Sequence, residues 1–172
     1  MKVFTEEQRF TQLWLHIILA VSLIIPIILI SKDLREKGWQ DEDARIGFIV
    51  ILVSIVLVYS LIYSMKLKTR IDEKGIQYRF VPFHLSNRSI IWSELKNVNI
   101  RKYNAITEYG GWGLKGGIFW IKSKGVAYNI KGNIGLQLEL KSGKKILIGT
   151  QKENDIKRIL QTYKAKIEHY EN

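Results

Sequence analysis

Two stretches, Leu13–Ile30 (LWLHIILAVSLIIPIILI) and Ile46–Met65 (IGFIVILVSIVLVYSLIYSM), decide how the rest of the chain is read, and neither holds a charged residue. A helix rises about 1.5 Å per residue, so roughly 20 residues cross a hydrocarbon core about 30 Å thick. Backbone groups in lipid must bond to each other, which favours helix over a lone strand. Both runs are therefore expected to be transmembrane helices, 13–30 and 46–65. Two buried core helices of a soluble domain are the competing reading, but such helices keep a polar face and these runs have none. A cleaved signal peptide is a second alternative for the first run. Against it stand Glu6 and Glu7 in the leading segment, Pro26 inside the run, and no small-residue cleavage site after Ile30.

The link Ser31–Arg45 (SKDLREKGWQDEDAR) carries four basic and five acidic residues, whereas Lys66, Lys68 and Arg70 follow the second run closely. Positive charge gathers on the cytoplasmic side, so both termini are expected there, with the link outside. Trp14, Trp39, Tyr59 and Tyr63 sit near the ends of the runs, where amphipathic rings suit the interface. His16 lies near the cytoplasmic end of the first helix and reads as interfacial rather than as a proton relay. Pro26 is expected to kink that helix.

Charge divides the 172 residues sharply. Residues 1–65 hold six Lys/Arg against seven Asp/Glu; residues 66–172 hold 21 against nine, so the C-terminal part carries essentially all of the net charge of +11. The sequence has no cysteine, which excludes disulfides, thiolate catalysis and thiolate metal sites. His16, His84 and His169 are far apart and without ligand spacing, so neither a metal nor another cofactor is expected.

After Met65 the pattern alternates. Ile71 and then Ile76, Tyr78 and Phe80 flank the turn Asp72-Glu73-Lys74-Gly75. Ile90–Ile100 is a second run, and GIFWIK after the glycine-rich YGGWGLKGG (Tyr109–Gly117) reads as another strand. Ile134, Leu136, Leu138 and Leu140 alternate with Gly135, Gln137 and Glu139; Lys141-Ser142-Gly143-Lys144 then turns the chain into KILIG. Thr150-Gln151-Lys152-Glu153 reads as a capping box opening a helix over 152–168. Ile156, Ile159, Leu160, Tyr163 and Ile167 form its apolar face.

About seven strands followed by one amphipathic helix, with the D-x-x-G-I turn (Asp72–Ile76), Trp92-Ser93-Glu94-Leu95 and the Gly149–Lys152 helix entry, resembles the bacterial pleckstrin-homology-like (PH-like) domain. The whole chain resembles small bacterial membrane proteins with two spans before such a domain. The resemblance implies an α+β membrane protein: a two-helix transmembrane hairpin in residues 1–65, then, over 66–172, a cytoplasmic seven-stranded PH-like β-barrel or sandwich closed by a C-terminal α-helix. It implies a bacterial inner (cytoplasmic) membrane location. Eukaryotic PH domains bind phosphoinositides through a basic first loop; here that loop is Asp72-Glu73-Lys74, so that specificity is not carried over.

Candidate contact residues follow from composition. Tyr109, Trp112 and Lys115 in the glycine-rich stretch are candidates for contact with a partner or ligand, although a purely structural loop is the simpler reading. The stretch is neither GxxxxGK[ST] nor a GxGxxG opening a helix. Lys66, Lys68, Arg70, Arg101 and Lys102 are candidates for contact with anionic lipid, each cation near a leaflet gaining about 1 kcal/mol. Trp92-Ser93-Glu94 lacks a nearby His or nucleophile-elbow glycines and reads as packing. The expectation is a non-enzymatic, membrane-anchored module that binds a protein partner or the anionic inner leaflet and no nucleic acid. The alternative is a subunit of an oligomeric membrane complex for assembly or transport, with the helices driving homo-oligomer or partner association.

Overall fold

The computed structural model describes residues 2–116 and 125–169. The chain divides into two compact units, residues 10–64 and residues 1–9 with 65–172. The boundary expected after residue 65 thus shifts: the leading segment joins the C-terminal domain, and the helices are an insertion within it.

The first unit is a helical hairpin. Helix α1 spans Leu13–Lys37 and α2 spans Glu42–Ser64, so both outrun the apolar stretches and take up most of the expected link. The charged extension of α1 is stabilised by Lys32–Glu36 and Lys37–Asp33 ion pairs at i,i+4 spacing. Only residues 38–41 lie between the helices; Asp41 Oδ1 accepts from the Ala44 amide at 2.8 Å and starts α2. The His16 and Tyr63 rings stack 5.7 Å apart, which makes the helices antiparallel neighbours. Ser22, Ser31, Ser54 and Ser64 return their hydroxyls to carbonyls three or four residues back, so little polar surface interrupts the apolar exterior. Helix continues through Pro26. Both helices are long and apolar enough to cross a membrane, with mean hydropathies of 2.8 and 2.7 over windows that are 0% buried within the chain. A core helix of a soluble protein would be covered.

The second unit contains two sheets. The first is a four-strand meander: β1 (Phe4–Arg9), β2 (Lys66–Asp72), β3 (Gly75–Val81) and β4 (Arg88–Ile91), all antiparallel. The expected turn joins β2 to β3, with Asp72 opposite Gly75. Glycine is required there because a Cβ would overlap the Ile90 carbonyl oxygen of β4. After a single 3-10 turn, Trp92–Glu94, come β5 (Leu95–Lys102), a short helix α3 (Ala105–Tyr109), β6 (Gly113–Lys115), β7 (Val126–Asn129), β8 (Ile134–Leu140) and β9 (Lys145–Gly149). These strands form the second sheet in the order β5-β8-β9-β7-β6, with β7 and β9 parallel. The β8–β9 hairpin forms as its alternation predicts.

The last element, α4 (Glu153–His169), buries Ile156, Ile159 and Tyr163. Its Tyr163 ring stacks on Trp92 at 5.3 Å, and the Trp92 indole N–H donates to the Asp72 carbonyl oxygen at 3.1 Å. Trp92-Ser93-Glu94 is thus a packing corner, with Glu94 accepting from the Ile91 amide. Leu67, Ile71, Ile76 and Phe80 from the first sheet and Leu95, Leu136, Leu138 and Ile148 from the second are the fully buried centre. Each such side chain contributes roughly 1.5–3 kcal/mol by leaving water.

Among the described residues eight strands form after residue 65, where about seven were expected, and β1 from the leading segment adds to them; the two sheets are open. The strand expected in GIFWIK and the Ile167 side chain lie outside the described residues. The capping box at Thr150 is not made by Glu153, which pairs instead with Lys157 at 2.6 Å. Thr150 Oγ1 accepts from the Lys152 amide at 3.0 Å, and the carboxylate beside it comes from Glu6 of β1.

Candidate functional site

Strand β2 turns its side chains alternately in and out. Leu67, Thr69 and Ile71 are buried, whereas Lys68 and Arg70 are exposed on the outer face, with Lys66 half-buried at the strand's start. Register sets Lys68 between Glu7 of β1 and Arg79 of β3, and Arg70 between Thr5 and Gln77. A shallow groove of about 320 Å³ runs over this face. Two like charges directly across a ladder repel, and the carboxylates moderate this. Glu7 bonds Arg9 at 2.7 Å and Lys68 at 3.2 Å, and Arg9 above all holds its carboxyl below the ordinary range. Asp72 is lowered likewise, mainly by the Arg70 guanidinium at 2.9 Å.

The five cations expected at the lipid surface are divided between the two sheets. Lys66, Lys68 and Arg70 lie on the first sheet; Arg101 and Lys102 lie on β5 of the second. Arg101 is engaged internally: it donates to Glu108 Oε2 at 2.8 Å, Tyr109 Oη at 3.0 Å and Gln137 Oε1 at 3.1 Å.

Tyr109 and Trp112 come together, though Tyr109 ends a helix rather than opening a loop. Asn104 caps α3 by accepting from the Ile106 and Thr107 amides, and Gly110 closes it in the left-handed region at φ 73°. Both rings pack, partly buried, on a cluster of Tyr103, Ala105, Ala127 and Leu147. The Trp112 indole N–H donates to the Gly132 carbonyl at 3.2 Å, and Gly113 donates its amide to the fully buried Asn129 Oδ1 at 2.9 Å. These contacts tie Tyr109, Trp112 and Gly113 to the body of the domain. Lys115, at the end of β6, instead lines an open groove of about 960 Å³ with Arg88, Phe83, Ile106 and Tyr128.

His84 stands at the floor of that groove and carried no role in the sequence reading. It is buried among the Tyr78 and Tyr128 rings, with centroids 5.9 and 5.2 Å away. Its Nδ1 accepts from the Phe80 amide at 3.2 Å, its own amide donates to the Phe80 carbonyl at 2.8 Å, and Arg79 Nε donates to its carbonyl at 3.1 Å. Burial, and then the Arg88 charge, lower its pKa below 6.5. Tyr78 is pushed far above the ordinary phenol value by burial and by Tyr128. A lone histidine between two hydrophobic runs gives no signal in sequence that it folds inward.

Among the described residues, no group of three or more His, Asp or Glu is placed to hold a metal ion. No family model, curated protein or solved structure gives a significant match to the chain.

Proposed function

We propose that this chain is a membrane-anchored, non-enzymatic interaction module, in which α1 and α2 cross a bacterial cytoplasmic membrane and the domain meets a protein partner or the anionic inner leaflet. One observation carries this reading: two unburied apolar helices are inserted between adjacent strands of a single domain that holds the positive charge. Residues 1–9 and 65–172 together have 23 Lys/Arg against 11 Asp/Glu. The pairing of β1 with β2 along its whole length supports placing residues on both sides of the hairpin on one side of the membrane. The basic composition then selects the cytoplasmic side.

The PH-like reading of the domain is part of the proposal. Two sheets, mostly antiparallel, followed by a C-terminal helix support it; the additional strand β1 and the parallel β7–β9 pair depart from the simple plan. The test is hydrogen exchange of the full chain reconstituted in vesicles with and without anionic lipid. Leaflet docking predicts slower exchange at domain surface amides with anionic lipid, reversed by salt. Exchange indifferent to lipid charge removes leaflet docking and leaves the protein partner, which crosslinking in native membranes would capture.

A further inference from the structure

We propose that the loop between β3 and β4, residues 82–87, sets Phe83 and Leu85 into the headgroup region of the bilayer, as a second membrane contact beside the two helices. This rests on the membrane-anchored reading above.

Register aligns Arg9 with Lys66 and Lys66 with Val81, so three adjacent strands share one row. Arg9 is where the chain leaves for α1, and Lys66 is where it returns from α2 with Met65 alone between. Neighbouring strands lie about 4.8 Å apart, so Val81 is about two strand spacings from Arg9 and one from Lys66. The loop that follows Val81 therefore starts from the end of the sheet that is tied to the membrane helices.

This loop is also inside out. Its imidazole is buried, while Phe83 is 51% and Leu85 92% exposed. The arrangement is held, not slack: His84 bonds Phe80 through both its amide and its ring, Arg79 bonds its carbonyl, and two tyrosines flank it. With His84 held inward, its neighbours Phe83 and Leu85 are left facing outward. Free in water that exposure is unfavourable; at an acyl–headgroup boundary it is favourable.

Lys66 borders the loop across the ladder, and exposed Arg88 follows it at the start of β4. Cations beside an apolar tip match an anionic leaflet, whose phosphates lie just outside the depth the tip would reach.

The chain has no cysteine, so single substitutions give unique labels. Leu85→Cys marks the loop. Glu73→Cys marks the exposed β2–β3 turn at the opposite end of the same two strands. Each full-length variant, carrying an environment-sensitive fluorophore, is reconstituted in phosphatidylcholine–phosphatidylglycerol vesicles with nitroxide-bearing lipid. The proposal predicts several-fold stronger quenching by lipid at position 85 than at 73, and the reverse order with aqueous iodide. Equal quenching at both, in chain that resists alkaline carbonate extraction, overturns loop insertion and leaves the anchored reading standing. Release by carbonate overturns both. Disulfide-linked dimers of the unlabelled Leu85→Cys chain under a mild oxidant, without lipid quenching of the labelled one, assign the loop to a second copy and overturn the proposal.

Discussion

Glu6 and Thr150 stand 144 residues apart and share a hydrogen bond of 2.7 Å, the Thr150 hydroxyl donating to Glu6 Oε2. The other carboxylate oxygen accepts from the Gln151 amide at 2.8 Å, so one buried side chain from before the hairpin serves the entry to the last helix. Gln8, two residues on, donates to the Gly149 carbonyl at 2.7 Å, and Tyr163 donates to the Lys2 carbonyl at 2.6 Å. These bonds make β1 the fastening of the domain rather than a leader to the helices.

Removing the carboxylate should show this. Glu6→Ala leaves a hydroxyl and an amide short of a partner, at a cost of about 1–3 kcal/mol to the domain. Thermal unfolding in detergent of Glu6→Ala, Thr150→Val and the double variant would measure the coupling, expected near 1 kcal/mol. Strict additivity would mean that the two residues do not act together.

Trp112 is predicted to matter first for stability. Its ring is partly buried on the Tyr103–Leu147 cluster and its N–H is bonded. Trp112→Ala is expected to cost about 2 kcal/mol, less than the 3–5 kcal/mol of a fully buried aromatic, with Trp112→Phe in between. Unchanged unfolding, together with lost crosslinks to a partner in native membranes, would instead make it a contact residue.

The buried His84 gives the domain a pH dependence of definite sign. The unfolded chain, at the ordinary 6.5, takes up a proton that the folded chain resists, so stability is full well above pH 6.5 and falls below it. Asp72 and Glu7 are also lowered, and their contributions vanish only further down, below the ordinary 3.8 and 4.5. In His84→Asn the amide oxygen can still accept from Phe80 but does not titrate. Unfolding compared between about pH 7.5 and pH 5.5 should lose much of its slope in that variant. An unchanged slope would assign the dependence to other groups.

Much of this architecture was legible because it rests on apolar periodicity. The two uncharged runs gave the helices, Gly75 and Gly143 marked the hairpins, and the Ile156–Tyr163 spacing gave α4. Strand β1 was not legible, because two of its three inward residues, Glu6 and Gln8, are polar and buried against groups at the far end of the chain. Helix α3 was missed although Asn104 and Gly110 punctuate it, since five residues are too few for a periodic signal. Among the basic residues, Lys68 and Arg70 can be placed on an exposed face by strand alternation. Arg101 cannot, because its engagement depends on Glu108 folding back through α3.

The central claim is that one domain, split by a transmembrane hairpin, is held on a single side of the membrane. Impermeant maleimide labelling of full-length Lys2→Cys, Gln40→Cys and Ser142→Cys in sealed vesicles of known orientation tests it most directly, all three positions being exposed. Positions 2 and 142 should react from the cytoplasmic face and position 40 from the opposite face alone. Labelling of position 40 from the same face as 142, or of 2 and 142 from different faces, would contradict the account.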